Sequence, residues 1–208
     1  MGFFDIFRRA PAIRDAYALA DFIDENAAFL IQKGMYEYSR ARAGHYAKVL
    51  LQEPEFLAAI EKARWQGFPL GLALVGEMVE GVLHDAISRD RRAGLDQIIA
   101  LVLSVFDRYP VPPSLGAMAW EEARSDLERR LDQVGLHAPK FVKDIPVPLA
   151  GAYFDLMPIH EKLRAADRLA ITNYLRVSLI NIHDALIKRL DVPAVAQSLL
   201  AGPPDTRG

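Results

Sequence analysis

The chain contains no cysteine in its 208 residues. That absence removes disulfides, thiolate zinc sites and thiol catalysis together, and it leaves the redox compartment open. Long hydrophobic runs are missing too. The longest, residues 98–106, holds Ser104 and falls far short of the roughly 20 residues that a membrane-spanning helix needs. The N-terminal apolar segment is too short for a secretory signal and lacks a small-residue cleavage pattern, so a soluble, cytoplasmic protein is expected. Nor is there an excess of one charge. With 25 Lys and Arg against 27 Asp and Glu, interleaved to a net charge of −2, no overall field draws nucleic acid, and no nucleic-acid partner is expected.

Catalytic motifs are equally scarce. Neither the Walker nor the dinucleotide glycine pattern occurs, no serine lies in G-x-S-x-G or S-x-x-K, and H-E-x-x-H is absent. No internal period of about 20 to 50 residues recurs, which argues against a solenoid.

What the chain does have is helical periodicity. In residues 68–85, F-P-L-G-L-A-L-V-G-E-M-V-E-G-V-L-H-D, eight side chains (Leu70, Leu72, Leu74, Val75, Met78, Val79, Val82 and Leu83) cover well over half of a helical wheel. A helix so apolar must be surrounded. It is predicted to be the central helix of an all-α, single-domain bundle of about seven or eight helices, with residues 91–109 and 169–190 as its companions in the core. Gly71, Gly76 and Gly81 are expected points of close approach. Gly67 and Pro69 are read as ending a helix that Pro54 begins and as starting the central one.

Asp15 is the expected cap of a first helix to about Lys33, with Gly34 either a break or a position the helix runs through, and a second helix over 35–51. Ser114 is expected to cap an outer helix ending near Val134, whose apolar stripe is Trp120, Ala123, Leu127, Leu131 and Val134. Residues 135–149, with Pro139, Pro146 and Pro148, form the longest irregular connection and the best candidate for a mobile or binding loop. Residues 1–14 read as a short amphipathic arm, 15–201 as the helical domain and 202–208 as a disordered tail.

Three groups of residues are functional candidates. Glu77, Glu80 and His84 share one helical face. If they meet Thr172, Arg176 and His183, an internal polar layer results, with Arg176 paired to Glu77 or Glu80; it would either hold a small ligand or fix helix register. His84 follows Glu80 by four positions rather than the three used in di-iron bundles, and no second Glu-x-x-His exists, so neither metal nor cofactor is expected. Tyr36, Tyr38, Arg40, Arg42 and Tyr46 form a basic aromatic stretch with i,i+4 pairs, suited to phosphate, a lipid head group or an acidic partner, or else to an ordinary solvated face. Phe3, Phe4, Ile6, Phe7, Arg8 and Arg9 suggest weak peripheral contact with a membrane or a partner.

With every catalytic template missing, the expected function is a non-enzymatic helical interaction module, an adaptor or assembly factor with a protein partner. The alternative is a small-molecule or lipid-binding protein, or an enzyme, built around the internal polar layer.

Overall fold

Helix α3 is the axis around which the other elements pack. The computed structural model describes residues 11–87, 91–164 and 166–201. Among them run α1 (Ala16–Ala43), a 3-10 turn (Gly44–Tyr46), α2 (Ala47–Leu50), α3 (Pro54–Ile87), α4 (Arg91–Phe106), α5 (Ala117–Val134), α6 (Ala150–Asp155), α7 (Glu161–Arg164), α8 (Arg168–Ile187) and α9 (Val192–Leu200). The architecture is an all-α single-domain bundle. No described helix is long and apolar enough to cross a membrane. Phe3, Phe4, Ile6, Phe7, Arg8 and Arg9, and the tail 202–208, lie outside the described residues.

The apolar wheel of α3 is surrounded as expected: Leu72, Leu74, Val75, Met78, Val79 and Leu83 are buried, and α1, α4, α5, α8 and α9 all pack against this helix. The two expected breaks are absent. Gly67 and Pro69 lie inside α3, which is continuous from Pro54. An interior proline loses one backbone hydrogen bond and crowds the carbonyl four residues back, at about 3 kcal/mol. Burying Phe68, Leu70 and Leu72 around it contributes roughly 1.5–3 kcal/mol each, which outweighs that penalty.

Gly71 brings α3 against α1, since a side chain there would meet the Ala27 carbonyl oxygen at 2.8 Å. Gly76 faces Val102 and Leu131, but Gly81 faces open space, with nothing within 4 Å of an added Cβ. Of the two readings of Gly34, the continuous one holds: it lies within α1 beneath the Tyr153 hydroxyl and the Tyr174 ring. Those two phenols donate to the Ile31 and Leu30 carbonyl oxygens at 3.0 and 2.9 Å. The stretch expected as a helix over 35–51 is therefore the end of α1, the 3-10 turn and α2.

Asp15 caps α1 by accepting from the Ala18 N–H at 2.8 Å. Ser114 does not cap α5; Gly116 holds that position, two residues later. The expected stripe of α5 faces the core through Trp120, Leu127, Leu131 and Val134. The two ends of the described chain meet: Ile13 donates to the Arg189 carbonyl at 2.8 Å and accepts from the Asp191 N–H at 2.9 Å.

Helix α8 departs most from expectation. Residues 169–190, apolar almost all round the wheel, are expected in the core, yet only one side of α8 is covered, through Ile171, Leu175, Leu179, Ile182 and Leu186. The opposite side faces outward, so α8 lies at the surface of the bundle.

Candidate functional site

The polar layer expected between α3 and α8 is not assembled. Glu77 accepts a hydrogen bond from Lys140 Nζ at 2.8 Å, with His137 Nε2 4.0 Å away. Glu80 is 4% exposed, and its Oε1 lies 2.7 Å from His84 Nδ1, one turn along the same helix. Its second oxygen, Oε2, is buried without a hydrogen-bond partner among the described residues.

Arg176 pairs with neither carboxylate; its Nε donates to the Lys143 carbonyl at 3.1 Å. The physical reason is the 135–149 connection, which touches both helices and gives Lys140 to α3 and the Lys143 carbonyl to α8. A backbone carbonyl at hand takes the place of the expected carboxylate. Thr172 donates to the Arg168 carbonyl of its own helix at 2.9 Å, and His183 Nδ1 lies 3.3 Å from Asp184. Among the described residues, no group of three or more His, Asp or Glu is placed to hold a metal.

The basic aromatic stretch divides in two. Tyr38 donates to Asp167 at 2.8 Å and Arg42 Nε lies 3.1 Å from the same carboxylate, so this half clamps α1 to the start of α8. Burial and the Asp167 carboxylate push the Tyr38 phenol up to about 12. Arg40 pairs with Glu37 at 2.6 Å, and Tyr46 is 78% exposed. Tyr36 belongs elsewhere. It lines an open hollow of about 410 Å³ between α1 and α3, together with Phe29, Gln32, Lys33, Met35, Ile60 and Arg64.

This hollow adjoins a second of about 200 Å³, walled by Ala28, Ile31, Trp65, Phe68 and Tyr109 and sharing Gln32 and Arg64 with the first. The hollows follow from the shape of the α1–α3 hairpin. Gly67 and Gly71 draw the two helices together against Ile31 and Ala27, while one to two turns before Gly67 the larger Ile60 and Arg64 face Phe29, Lys33 and Tyr36 and leave space between them.

The inner walls are rigid because Trp65, Phe68 and Tyr109 pack edge to face, with centroids 5.1–6.1 Å apart. Tyr109 is further fixed by donating to Asp24 at 2.7 Å, and burial together with that carboxylate pushes its phenol up to about 12.

Arg64 stands where the hollows meet. Its guanidinium lies 4.8 Å from the Trp65 ring centroid, and its Nε is buried with no acceptor. A buried donor left unsatisfied costs about 1–3 kcal/mol. Lys33 lies 4.9 Å from the Phe29 ring centroid. Among the described residues no carboxylate oxygen comes within 4.0 Å of either cation.

Reading the sequence alone brings Lys33 and Tyr36 near the site but misses Arg64, Ile60 and Phe29. The signal was available as Ile60, Arg64 and Phe68 at i,i+4 steps opposite Phe29, Lys33 and Tyr36, but only to a reading that pairs α1 with α3 as a hairpin. Reading a break at Gly34 and at Gly67 hides that pairing.

No family model matches this chain, and no curated protein and no solved structure matches it.

Proposed function

We propose that this chain is a non-enzymatic helical interaction module, an adaptor or assembly factor that receives an amphipathic helix of a protein partner on the outer face of α8. The observation that supports this reading is the uncovered apolar stripe there: Leu169, Val177, Ile180 and Ile187 are 68%, 58%, 38% and 51% exposed. Together with Asn173 and Asp184 they follow one another in steps of three and four along one side of the helix, the spacing by which one helix packs on another. Exposed apolar surface of this regularity is a mark of association. Asn173 and Asp184, as polar positions within the seam, would fix the register of the incoming helix.

The test is a photo-crosslinking amino acid placed at Val177 in living cells. A single adduct with another polypeptide, lost when Ile180→Glu is added, is expected. No adduct, or one that survives Ile180→Glu, would overturn the reading; an adduct of twice the chain's own mass would replace the adaptor by a homo-oligomer. A cytoplasmic setting is part of the same proposal and is tested by imaging the tagged chain. The contact of Phe3, Phe4, Ile6, Phe7, Arg8 and Arg9 with a membrane surface is a separate proposal, tested by vesicle flotation with and without residues 1–10.

A further inference from the structure

We propose that the paired hollows between α1 and α3 form a binding site for a free anionic amphiphile, a single carboxylate carried on an aliphatic or aryl body. This goes beyond the docking of a partner on α8, because it uses a different surface and different chemistry. Three observations converge on it.

The walls are apolar and aromatic: Phe29, Met35, Tyr36 and Ile60 outside, and Trp65, Phe68 and Tyr109 inside. A hydrocarbon or ring lying against these walls loses contact with water on the protein side, in a space whose larger part, about 410 Å³, is of ordinary ligand-pocket size, roughly 300–1,000 Å³. The charge at the rim has one sign. Lys33 and Arg64 both line the outer hollow, and neither has a carboxylate within 4.0 Å among the described residues. Asp24, which receives the hydroxyl of the inner-wall Tyr109 at 2.7 Å, also receives Arg108 at 3.3 Å.

The third observation is Arg64 itself. Its buried Nε has no acceptor, and the guanidinium is held on the Trp65 ring where the two hollows join. A carboxylate in the hollow accepts from the outer N–H groups of the guanidinium, which the Trp65 ring and the buried Nε hold in place, while its body lies along the aromatic wall. Lys33 supplies a second, longer-range attraction from the solvent side. A cationic amphiphile would meet two like charges, and a neutral one would bring no counter-charge to Lys33 and Arg64. A nucleotide is disfavoured because no glycine-rich anion loop adjoins the site and most of its lining is apolar.

Decanoate is the probe, followed by the fluorescence of the Trp65–Trp120 pair and by titration calorimetry, with decan-1-ol and decylammonium alongside. Saturable one-to-one binding of decanoate, at least about tenfold tighter than either control, is expected. Arg64→Gln should weaken it about tenfold or more and bring decanoate level with decan-1-ol. Lys33→Glu, at an exposed position that leaves the fold intact, should weaken decanoate several-fold and improve decylammonium.

Equal binding of all three probes, non-saturating uptake, or no response to Lys33→Glu would overturn the proposal. So would cosedimentation with phosphatidylglycerol vesicles in the absence of any binding of free decanoate, since the site would then belong to a bilayer lipid. None of these outcomes depends on α8, so failure here leaves the Val177 crosslinking result standing, and the reverse also holds.

Discussion

Arg176 sits at the half-buried edge of α8, whose apolar sequence alone suggests a setting in which an isolated charge is strongly disfavoured. Its Nε donates to the Lys143 carbonyl. Had it been paired with Glu77 or Glu80, removing it would leave a buried charge behind, at about 3–5 kcal/mol. With a carbonyl as partner, Arg176→Met should lower stability by only about 0.5–1.5 kcal/mol, read as a small shift of the urea midpoint.

The two hydrogen-bonded phenols lead to a pH prediction. Tyr38 and Tyr109 are each raised from 10.0 to about 12, by burial first and by their carboxylate acceptors second. The folded chain therefore holds protons that the unfolded chain gives up between those values. The stabilisation is complete below the unfolded value of 10.0 and is lost as pH rises through about 12. The double variant Tyr38→Phe, Tyr109→Phe should lose stability more gradually across this window than wild type, as followed by circular dichroism and tyrosinate absorbance. Equal slopes would mean that neither phenol is protected.

At the scale of elements, α3 shows what one sequence can and cannot express. Its burial was legible because eight apolar side chains leave only a narrow polar stripe, and no arrangement but a surrounded helix accommodates that. Its length was not legible. Gly67 and Pro69 carry real local penalties, and the contacts with α1 that overcome them come from residues some forty positions away. The same holds for Gly34 beneath Tyr153 and Tyr174. Gly71→Ala separates the two influences: helix propensity alone predicts a gain of about 1 kcal/mol, while a Cβ at 2.8 Å from the Ala27 carbonyl predicts a net loss of about 1–3 kcal/mol, because backbone cannot step aside as a flexible side chain can. Thermal melts of the variant decide the sign.

Helix α8 was misjudged for another reason. An apolar outer face looks the same in a sequence whether it meets the chain's own core or another protein. The candidate layer on α3 was legible as a stripe of Glu77, Glu80 and His84, but its partners were not, since Lys140 and the Lys143 carbonyl come from an irregular segment with no periodicity to read. That segment should loosen locally when its tether is removed. Lys140→Met is expected to raise amide exchange across residues 138–145 well before it affects α3, and uniform change across both would show the tether to be global.

On the scale of the whole molecule, the packing joins early and late parts of the chain. Tyr153 and Tyr174 bond to α1, Asp167 receives both Tyr38 and Arg42, and Ile13 pairs with Arg189 and Asp191. The irregular connection at 135–149 is thus no boundary between independent halves. A single cooperative thermal transition is expected for the full chain, and residues 1–149 alone should lack one, because α1 would expose the surface that α6 and α8 cover. Two separate transitions in the full chain would contradict this.

At Gly81 the buried axis comes to the surface with room beside it. In a chain with no thiol of its own, Gly81→Cys would create a unique attachment point on the central helix, reached from solvent and crowding nothing. A spin label or fluorophore carried there would move with α3 itself. It would report directly whether an amphiphile entering beside Trp65, or a helix arriving on α8, is felt along the axis that both neighbours share.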